Sequence, residues 1–290
     1  MAITPEEQSR LTIVPLDIRD AKLVDNAIQG MDQVVNLAAL IGIPYSYTAV
    51  DSYIQTNVVG SLNVLNASLN HSVQKVIQTS TSEVYGTAQY VPMDENHPIH
   101  PQSPYAATKV ASDQLALAYF HSFELPVTII RPFNTFGPRQ SLRAVIPSII
   151  RQFLEEKEEI SLGDISTTRD FTYVEDTVTG FVKALGSESC IGKQINLGTG
   201  LEVSISQIVD QIAQISGKSN YQVKNDYSRN RPDSSEVRRL CSDNSLASKL
   251  LSWSPRFSGF EGLHLGLKKT FEWFQSDENL AKFPDTNFKQ

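Results

Sequence analysis

Three short apolar runs constrain this chain more than any other feature: "DQVVNLAAL" (32–40), "KVIQTSTS" (75–82) and "VTIIRPF" (127–133). Each is too brief for a helix and lacks the polar alternation of a half-exposed strand, which predicts strands buried on both faces. Helical spacing fills the gaps between them. "DAKLVDNAIQG" (20–30) closes on Gly30, a natural residue just past a helix end. Residues 47–71 predict one long helix through Tyr53, Ile54, Asn57, Val58, Leu62 and Leu65, and 104–123 predict another with Pro104 in the first turn. "RLTIVPLDIRD" (10–20) reads as a further short strand, then a turn at Asp17. Such alternation predicts a doubly wound parallel α/β sheet.

After Gly137 the pattern changes. "AVIPSIIRQFLEE" (144–156) is helical, and "RDFTYVEDTVTGFVKALG" (169–186) enters a helix near Tyr173. "KQINLGTG" (193–200) is a strand, and "SISQIVDQIAQISG" (204–217) is a helix capped by Ser204 and Gly217. "YQVKND" and helices near 244–251 and 260–275 complete a smaller lobe. The expected division is 1–136 for the sheet domain and 137–290 mainly for a C-terminal lobe, with some chain crossing back and a cleft between them.

With 25 basic and 32 acidic residues the net charge is −7, which argues against nucleic acid or an anionic membrane as the main partner. Two distant cysteines and five histidines without ligand-like spacing predict no disulfide framework and no metal site. No apolar run approaches a membrane span, and "MAITPEEQSR" lacks the basic and apolar regions of a signal peptide. A reducing cytoplasm fits best.

The chemistry-bearing stretches are "TSTSEVYG" (79–86) and "SPYAATK" (103–109). Tyr105 and Lys109 lie four residues apart, hence on one helix face, and a nearby ammonium would lower the phenol's pKa towards neutrality. A strand ending at Thr81 would present its hydroxyl at the carboxyl end of the sheet, where such folds bind ligands. The pattern suits removal of a proton from an alcohol as it is oxidised. Tyr-x-x-x-Lys alone arises often by chance; its surroundings carry the reading.

Together "TSTSEVYG", "SPYAATK", "RPFNTFGPRQ", "RDFTYVEDT" and "NLGTG" resemble the extended short-chain dehydrogenase/reductase family that acts on nucleotide sugars, from about Leu11 to Trp273. "LAALIGIPYSY", "STSEVYGTAQYVP" and "RPFNTFGPRQSLRAVIP" are most similar to nucleotide-activated N-acetylglucosamine 4,6-dehydratases of legionaminic-acid-type pathways. The resemblance implies an NAD-dependent 4,6-dehydratase. Tyr105 would take the O4 proton as hydride leaves C4 for NAD. Glu83 would remove the C5 proton, water would leave C6, and hydride would return to C6. Thr81, Ser82, Glu83, Tyr105 and Lys109 are the implied catalytic set, with Ser82 where dTDP-glucose dehydratases carry Asp. Thr-Ser-Glu also resembles GDP-mannose dehydratases and UDP-glucuronate decarboxylases, so a decarboxylase or a 4-epimerase is the alternative.

For the cofactor, Asp17 and Ile18 resemble the pair flanking adenine. Leu37, Ala38 and Ala39 resemble the backbone against NAD, and Asn57 a residue orienting the active-site loop. Thr79, Pro132 and Phe133 fall with Tyr105 and Lys109 by the nicotinamide. Asn134, Arg143, Arg169, Arg231 and Arg238 match positions contacting the sugar nucleotide, where an Arg fork suits phosphate. "PYSY" (44–47) is the expected substrate loop. The family commonly forms homodimers through helices corresponding to 47–71 and 104–123.

One expected motif is absent. A Rossmann half begins with a strand, a glycine-rich turn and a helix. Here the first glycine is Gly30. The sequence therefore reads as starting inside that half, short of about 60 residues by the ~30-residue size of a βαβ step. A mis-assigned start, a boundary or a real truncation would each produce this. A non-catalytic remnant that binds sugar nucleotide is the alternative of another class.

Overall fold

The computed structural model describes residues 4–227, 231–281 and 283. In chain order the elements are α1 (Pro5–Ser9), α2 (Ala21–Ile28), β1 (Gln33–Asn36), α3 (Ile43–Ser46), α4 (Val50–Tyr53), α5 (Gly60–Asn70) and β2 (Lys75–Thr79). There follow α6 (Pro104–Phe123), β3 (Val127–Pro132), β4 (Asn134–Phe136), α7 (Val145–Leu154), β5 (Glu159–Leu162) and β6 (Thr168–Tyr173). The last are α8 (Val174–Gly186), β7 (Gln194–Leu197), β8 (Glu202–Ser204), α9 (Ile205–Ser216), β9 (Gln222–Asn225), α10 (Ser245–Leu251), α11 (Gly259–Gln275) and α12 (Asp277–Leu280).

The main sheet runs β1-β2-β3-β7, all parallel, with Val34 opposite Val76, Ile77 opposite Thr128 and Ile130 opposite Ile195. One face carries α2, α5 and α6, burying Val24, Ile28, Val64, Leu65, Val76, Val127 and Ile129. The other buries Ile77, Ile130, Ile195, Leu197 and Trp253 beneath α8 and α10. Each such side chain, fully buried, contributes about 1.5–3 kcal/mol. A separate core gathers Phe136, Ile149, Phe153, Phe171, Ile208, Ile212, Leu267 and Phe274 from the C-terminal elements. Two small sheets serve that part: β4-β6-β8, and β5 with β9.

Three local expectations are corrected. Residues 11–20 form no strand, and Leu11, Ile13 and Val14 are half-exposed or more. Strand-like composition yields a strand only where a ladder partner accepts its amides, and among the described residues none pairs with this segment. The run 32–40 gives only the four-residue β1, paired on one side with β2; Leu37 beyond it is 66% exposed. The single helix expected over 47–71 is α4, one π-helical stretch (Ile54–Val59) and α5. The wide turns surround Asn57, whose side chain is engaged elsewhere, and such π segments recur at functional sites.

Candidate active site

The site is built where β2 ends and α6 begins. β2 stops at Thr79, two residues before the end expected from sequence, because Thr81 instead caps the short 3₁₀ turn Ser82–Tyr85: its hydroxyl accepts from the Glu83 amide at 3.3 Å. That turn buries both Ser82 and Glu83. Ser103 caps α6 by accepting from the Ala106 amide at 3.1 Å, and Pro104 supplies a pre-set first turn. Tyr105 therefore sits on the first turn of α6, with its phenol hydrogen-bonded to the Thr81 side chain. Its ring stands edge-on to Tyr53, centroids 6.3 Å apart, and the Tyr53 hydroxyl donates to the Gly42 carbonyl.

Lys109 lies one turn further on, almost wholly buried, with Nζ donating to the Thr79 carbonyl at 2.5 Å. Burial lowers its pKa to about 8, opposed by the charge of Asp113. The Tyr105 phenol is pushed up, chiefly by burial; the Thr81 hydrogen bond opposes this, and the charges of Glu83, Tyr53 and Asp113 reinforce it. This corrects the expectation of a lowered phenol pKa. Shared helix face alone does not deliver the ammonium to the phenol: Lys109 is turned to a backbone carbonyl, and desolvation dominates.

Glu83 faces a pair of arginines. Arg231 Nη1 lies 3.5 Å from Glu83 Oε2 and 3.8 Å from Glu236 Oε1, and Arg169 Nη2 lies 3.2 Å from the same Glu236 oxygen. Burial lowers the Arg169 pKa, with Glu83 acting against it. Arg231 Nη1 is buried without a hydrogen-bond partner. The segment bearing Arg231 is strapped across the site. Tyr47 and Ser235 hydroxyls meet at 2.6 Å, Ser235 donates to the Gln102 carbonyl, and Gln102 Nε2 donates to the Ser234 and Glu236 carbonyls at 3.2 and 3.3 Å.

Asn57 ties the loop after β1 to α6: Oδ1 accepts from the Leu40 amide at 2.8 Å, and Nδ2 donates to the Leu40 carbonyl and the Thr108 hydroxyl, both at 3.0 Å. Within that loop Leu37 and Ala38 are exposed and Ala39 is half-buried. Phe133 is buried beside half-exposed Pro132, and Asn134 Oδ1 is buried without a partner. Asp17 is exposed and ion-paired to Arg19 at 2.5 Å, whose hydrogen bonds hold its carboxyl down to about 2. Ile18 packs against Gly60. Arg143 is exposed and acts electrostatically on Tyr53, and exposed Arg238 lies beside Asp164. Tyr45 is half-exposed, its ring 6.0 Å from Tyr53.

Sequence reading passed over Tyr53, Glu236 and a buried polar network behind the site. Asp113 Oδ2 accepts from Ser80 Oγ at 2.7 Å and from Arg131 Nε and Nη2 at 3.3 and 3.0 Å; Arg131 Nη1 donates to the Tyr85 hydroxyl at 2.9 Å. An arginine inside "VTIIRPF" was its legible signal, since a charge in a buried strand needs a partner.

Buried, unpartnered Thr79 Oγ1 and the Thr81–Tyr105–Lys109 cluster fit the nicotinamide-ribose end of a dinucleotide, whereas residues 1–29 hold no glycine for a pyrophosphate turn. Among the described residues no helix is long and apolar enough to cross a membrane, and no group of three or more His, Cys, Asp or Glu gathers as metal ligands.

A parallel sheet carrying Thr81, Tyr105 and Lys109 at its carboxyl end defines a Rossmann-like protein of the short-chain dehydrogenase type. The chain matches the family described as GDP-mannose 4,6 dehydratase over residues 2–265 and belongs to it, among NAD-dependent nucleotide-sugar epimerases and dehydratases. It is 34% identical to the low-salt glycan biosynthesis protein Agl12 of Haloferax volcanii, over 85% of this chain and 78% of that one. Among solved structures, DesIV of Streptomyces venezuelae, a dTDP-glucose 4,6-dehydratase crystallised with NAD and DAU, superposes with a TM-score of 0.84 at 27% identity, covering 93% of this chain and 81% of that one. The UDP-glucuronic acid 4-epimerase of Bacillus cereus, in complex with UDP-glucuronic acid and NAD, gives 0.83 at 32% identity, covering 92% and 82%.

Proposed function

We propose that this chain is an NAD-dependent nucleotide-sugar 4,6-dehydratase acting on UDP- or GDP-N-acetylglucosamine, and that it works as a homodimer. The observation that carries this reading is Glu83: a buried carboxylate beside the Thr81–Tyr105 pair, facing arginine rather than solvent. Simple 4-epimerisation requires no such base.

Thr79, Tyr105, Lys109, Pro132 and Phe133 would hold the nicotinamide end of NAD, which when bound would accept two electrons as hydride and give them back, so that the reaction has no net oxidation. Tyr105 takes the O4 proton, with Thr81 holding that oxygen and Lys109 held one helical turn away on the Thr79 carbonyl. The C4 carbonyl acidifies the C5 proton, which Glu83 removes. The C6 hydroxyl leaves as water, and protonated Glu83 is its adjacent acid, since Ser82 offers an alcohol where a second carboxyl could stand. Arg169 and Arg231 would bind the diphosphate, and Asn134, with an unpartnered buried oxygen, the sugar.

The test is product analysis with UDP- and GDP-N-acetylglucosamine and NAD. A 4-keto-6-deoxy sugar from the wild type, lost in Glu83→Gln, supports the proposal; an unchanged dehydration rate in Glu83→Gln refutes it. The alternative is a 4-epimerase or a UDP-glucuronate decarboxylase of the same family, and the same analysis would show a C4 epimer that retains its C6 oxygen, or a sugar that has lost its carboxylate.

A further inference from the structure

We propose that Asp113 is a positioning residue for the alcohol-oxidising site: its carboxylate keeps Lys109 cationic in a buried position and, through Ser80, anchors the strand end that carries Thr79 and Thr81. The proposal rests on the dehydrogenase-type chemistry above, but its primary test does not need turnover.

Tyr105, Lys109 and Asp113 are spaced four residues apart on α6 and so share one face. Asp113 is fully buried, a position in which a carboxylate survives only with partners. Three donors converge on Oδ2: Ser80 Oγ and two nitrogens of Arg131. Oδ1 has no hydrogen-bond partner and is equally buried. Arg131 is locked in turn by the Tyr85 hydroxyl, which donates to Asn196 Oδ1 at 2.8 Å, and its guanidinium sits 4.9 Å from the Tyr85 ring centre. The Asn196 amide donates to Glu95 Oε1 at 2.8 Å. The carboxylate is therefore fixed in position by four elements.

Two consequences reach the reacting groups. Ser80 lies between Thr79, whose carbonyl receives Lys109 Nζ, and Thr81, which holds the Tyr105 phenol. The Ser80–Asp113 bond therefore pins that segment to α6. The second is electrostatic. The Lys109 ammonium meets the Thr79 carbonyl on β2; the charge that acts on it is Asp113, one turn further along its own helix, which is itself paired with Arg131 on β3. Burial works against the ammonium, and Asp113 is the charge that supports it. The same charge opposes Tyr105 ionisation. Removing it therefore lowers both pKa values and moves the working pH range to the acid side; a merely structural role would leave that range in place.

The experiment is NMR titration of isotope-labelled lysines in the 290-residue chain without cofactor, with Lys109 assigned by Lys109→Arg. In Asp113→Asn the Lys109 midpoint, about 8 in the wild type, falls by about one pH unit or more, the low end for loss of a neighbouring opposite charge. In Ser80→Ala, which keeps the carboxylate, it moves by less than in Asp113→Asn. If Asp113→Asn fails to fold, Asp113→Glu, which keeps the charge, must hold the midpoint within about half a unit. An unmoved midpoint in folded Asp113→Asn, a fall in Asp113→Glu, or a fall in Ser80→Ala as large as that in Asp113→Asn overturns the proposal. With an active wild type, Ser80→Ala should also lower kcat about tenfold with KM little changed, as expected when reacting groups are misplaced. Absence of turnover in the wild type would count against the dehydratase reading alone.

Discussion

Arg131→Met is the most informative stability perturbation, because it strips a guanidinium from a site with no solvent to replace it. Arg131 and Asp113 side chains are each 1% exposed and meet at 3.0 Å. The substitution keeps most of the apolar volume but removes both contacts to Asp113 and the bond to Tyr85. Breaking a buried pair by deleting one partner costs about 3–5 kcal/mol, against a total stability of about 5–15 kcal/mol. With an m value near 3 kcal/mol/M, the urea midpoint should fall by about 1–1.7 M. The sign with pH follows from Asp113. Burial already raises its carboxyl, and without Arg131 it rises further above the unfolded value of about 4. A group whose folded pKa is raised binds its proton more tightly in the folded state, so its contribution is present below about pH 4 and is lost as pH climbs. The deficit of Arg131→Met should therefore be smallest near pH 4 and full at neutrality. Asp113→Leu combined with Arg131→Met removes both charges and should recover at least about 2 kcal/mol of the single variant's loss. Urea unfolding followed by circular dichroism at several pH values checks this. A single variant within about 1 kcal/mol of wild type, or a double variant no better than the sum of its parts, would refute the reasoning.

Tyr105→Phe should reduce turnover about 10²–10⁴-fold with nucleotide-sugar affinity nearly unchanged, measured by steady-state kinetics and calorimetry. Tyr47→Phe deletes the hydroxyl that meets Ser235 at 2.6 Å and so loosens the strap bearing Arg231. A loss of about 0.5–1.5 kcal/mol should appear as a raised KM for the sugar nucleotide, with kcat within about twofold. Gly60→Ala would set a methyl 2.8 Å from Ile18 Cγ2. Overpacking costs about 1–3 kcal/mol against a helical gain of about 1 kcal/mol from alanine, a net loss of up to about 2 kcal/mol, so the melting temperature should drop by up to about 4 °C.

Much of this architecture was legible because short-range physics dictates it. The runs at 75–79 and 127–132 are apolar throughout, and a parallel central strand has no other way to satisfy its backbone while buried on both faces. Ser103-Pro104 and Ser204 with Gly217 announce helix ends by local chemistry that needs no distant partner. The juxtaposition of Thr81, Glu83, Tyr105 and Lys109 was also readable, since strand end and helix start are adjacent in a βαβ step. Tertiary structure decided what depends on partners remote in sequence. Residues 11–20 have strand composition but no ladder partner among the described residues, so they form no strand and, Ile18 apart, are exposed. The helix at 47–71 yields to π turns where Asn57 must reach Leu40 and Thr108. Spacing put Lys109 on the face of Tyr105, but the depth of that face turned the ammonium to Thr79 and raised the phenol pKa. Asp113 and Arg131, 18 residues apart, meet because burial leaves each charge no alternative to the other. Sequence determined which chemistry the chain carries, because that is a matter of residue type and local spacing; the fold decided each group's charge state, because desolvation is a property of everything packed around it.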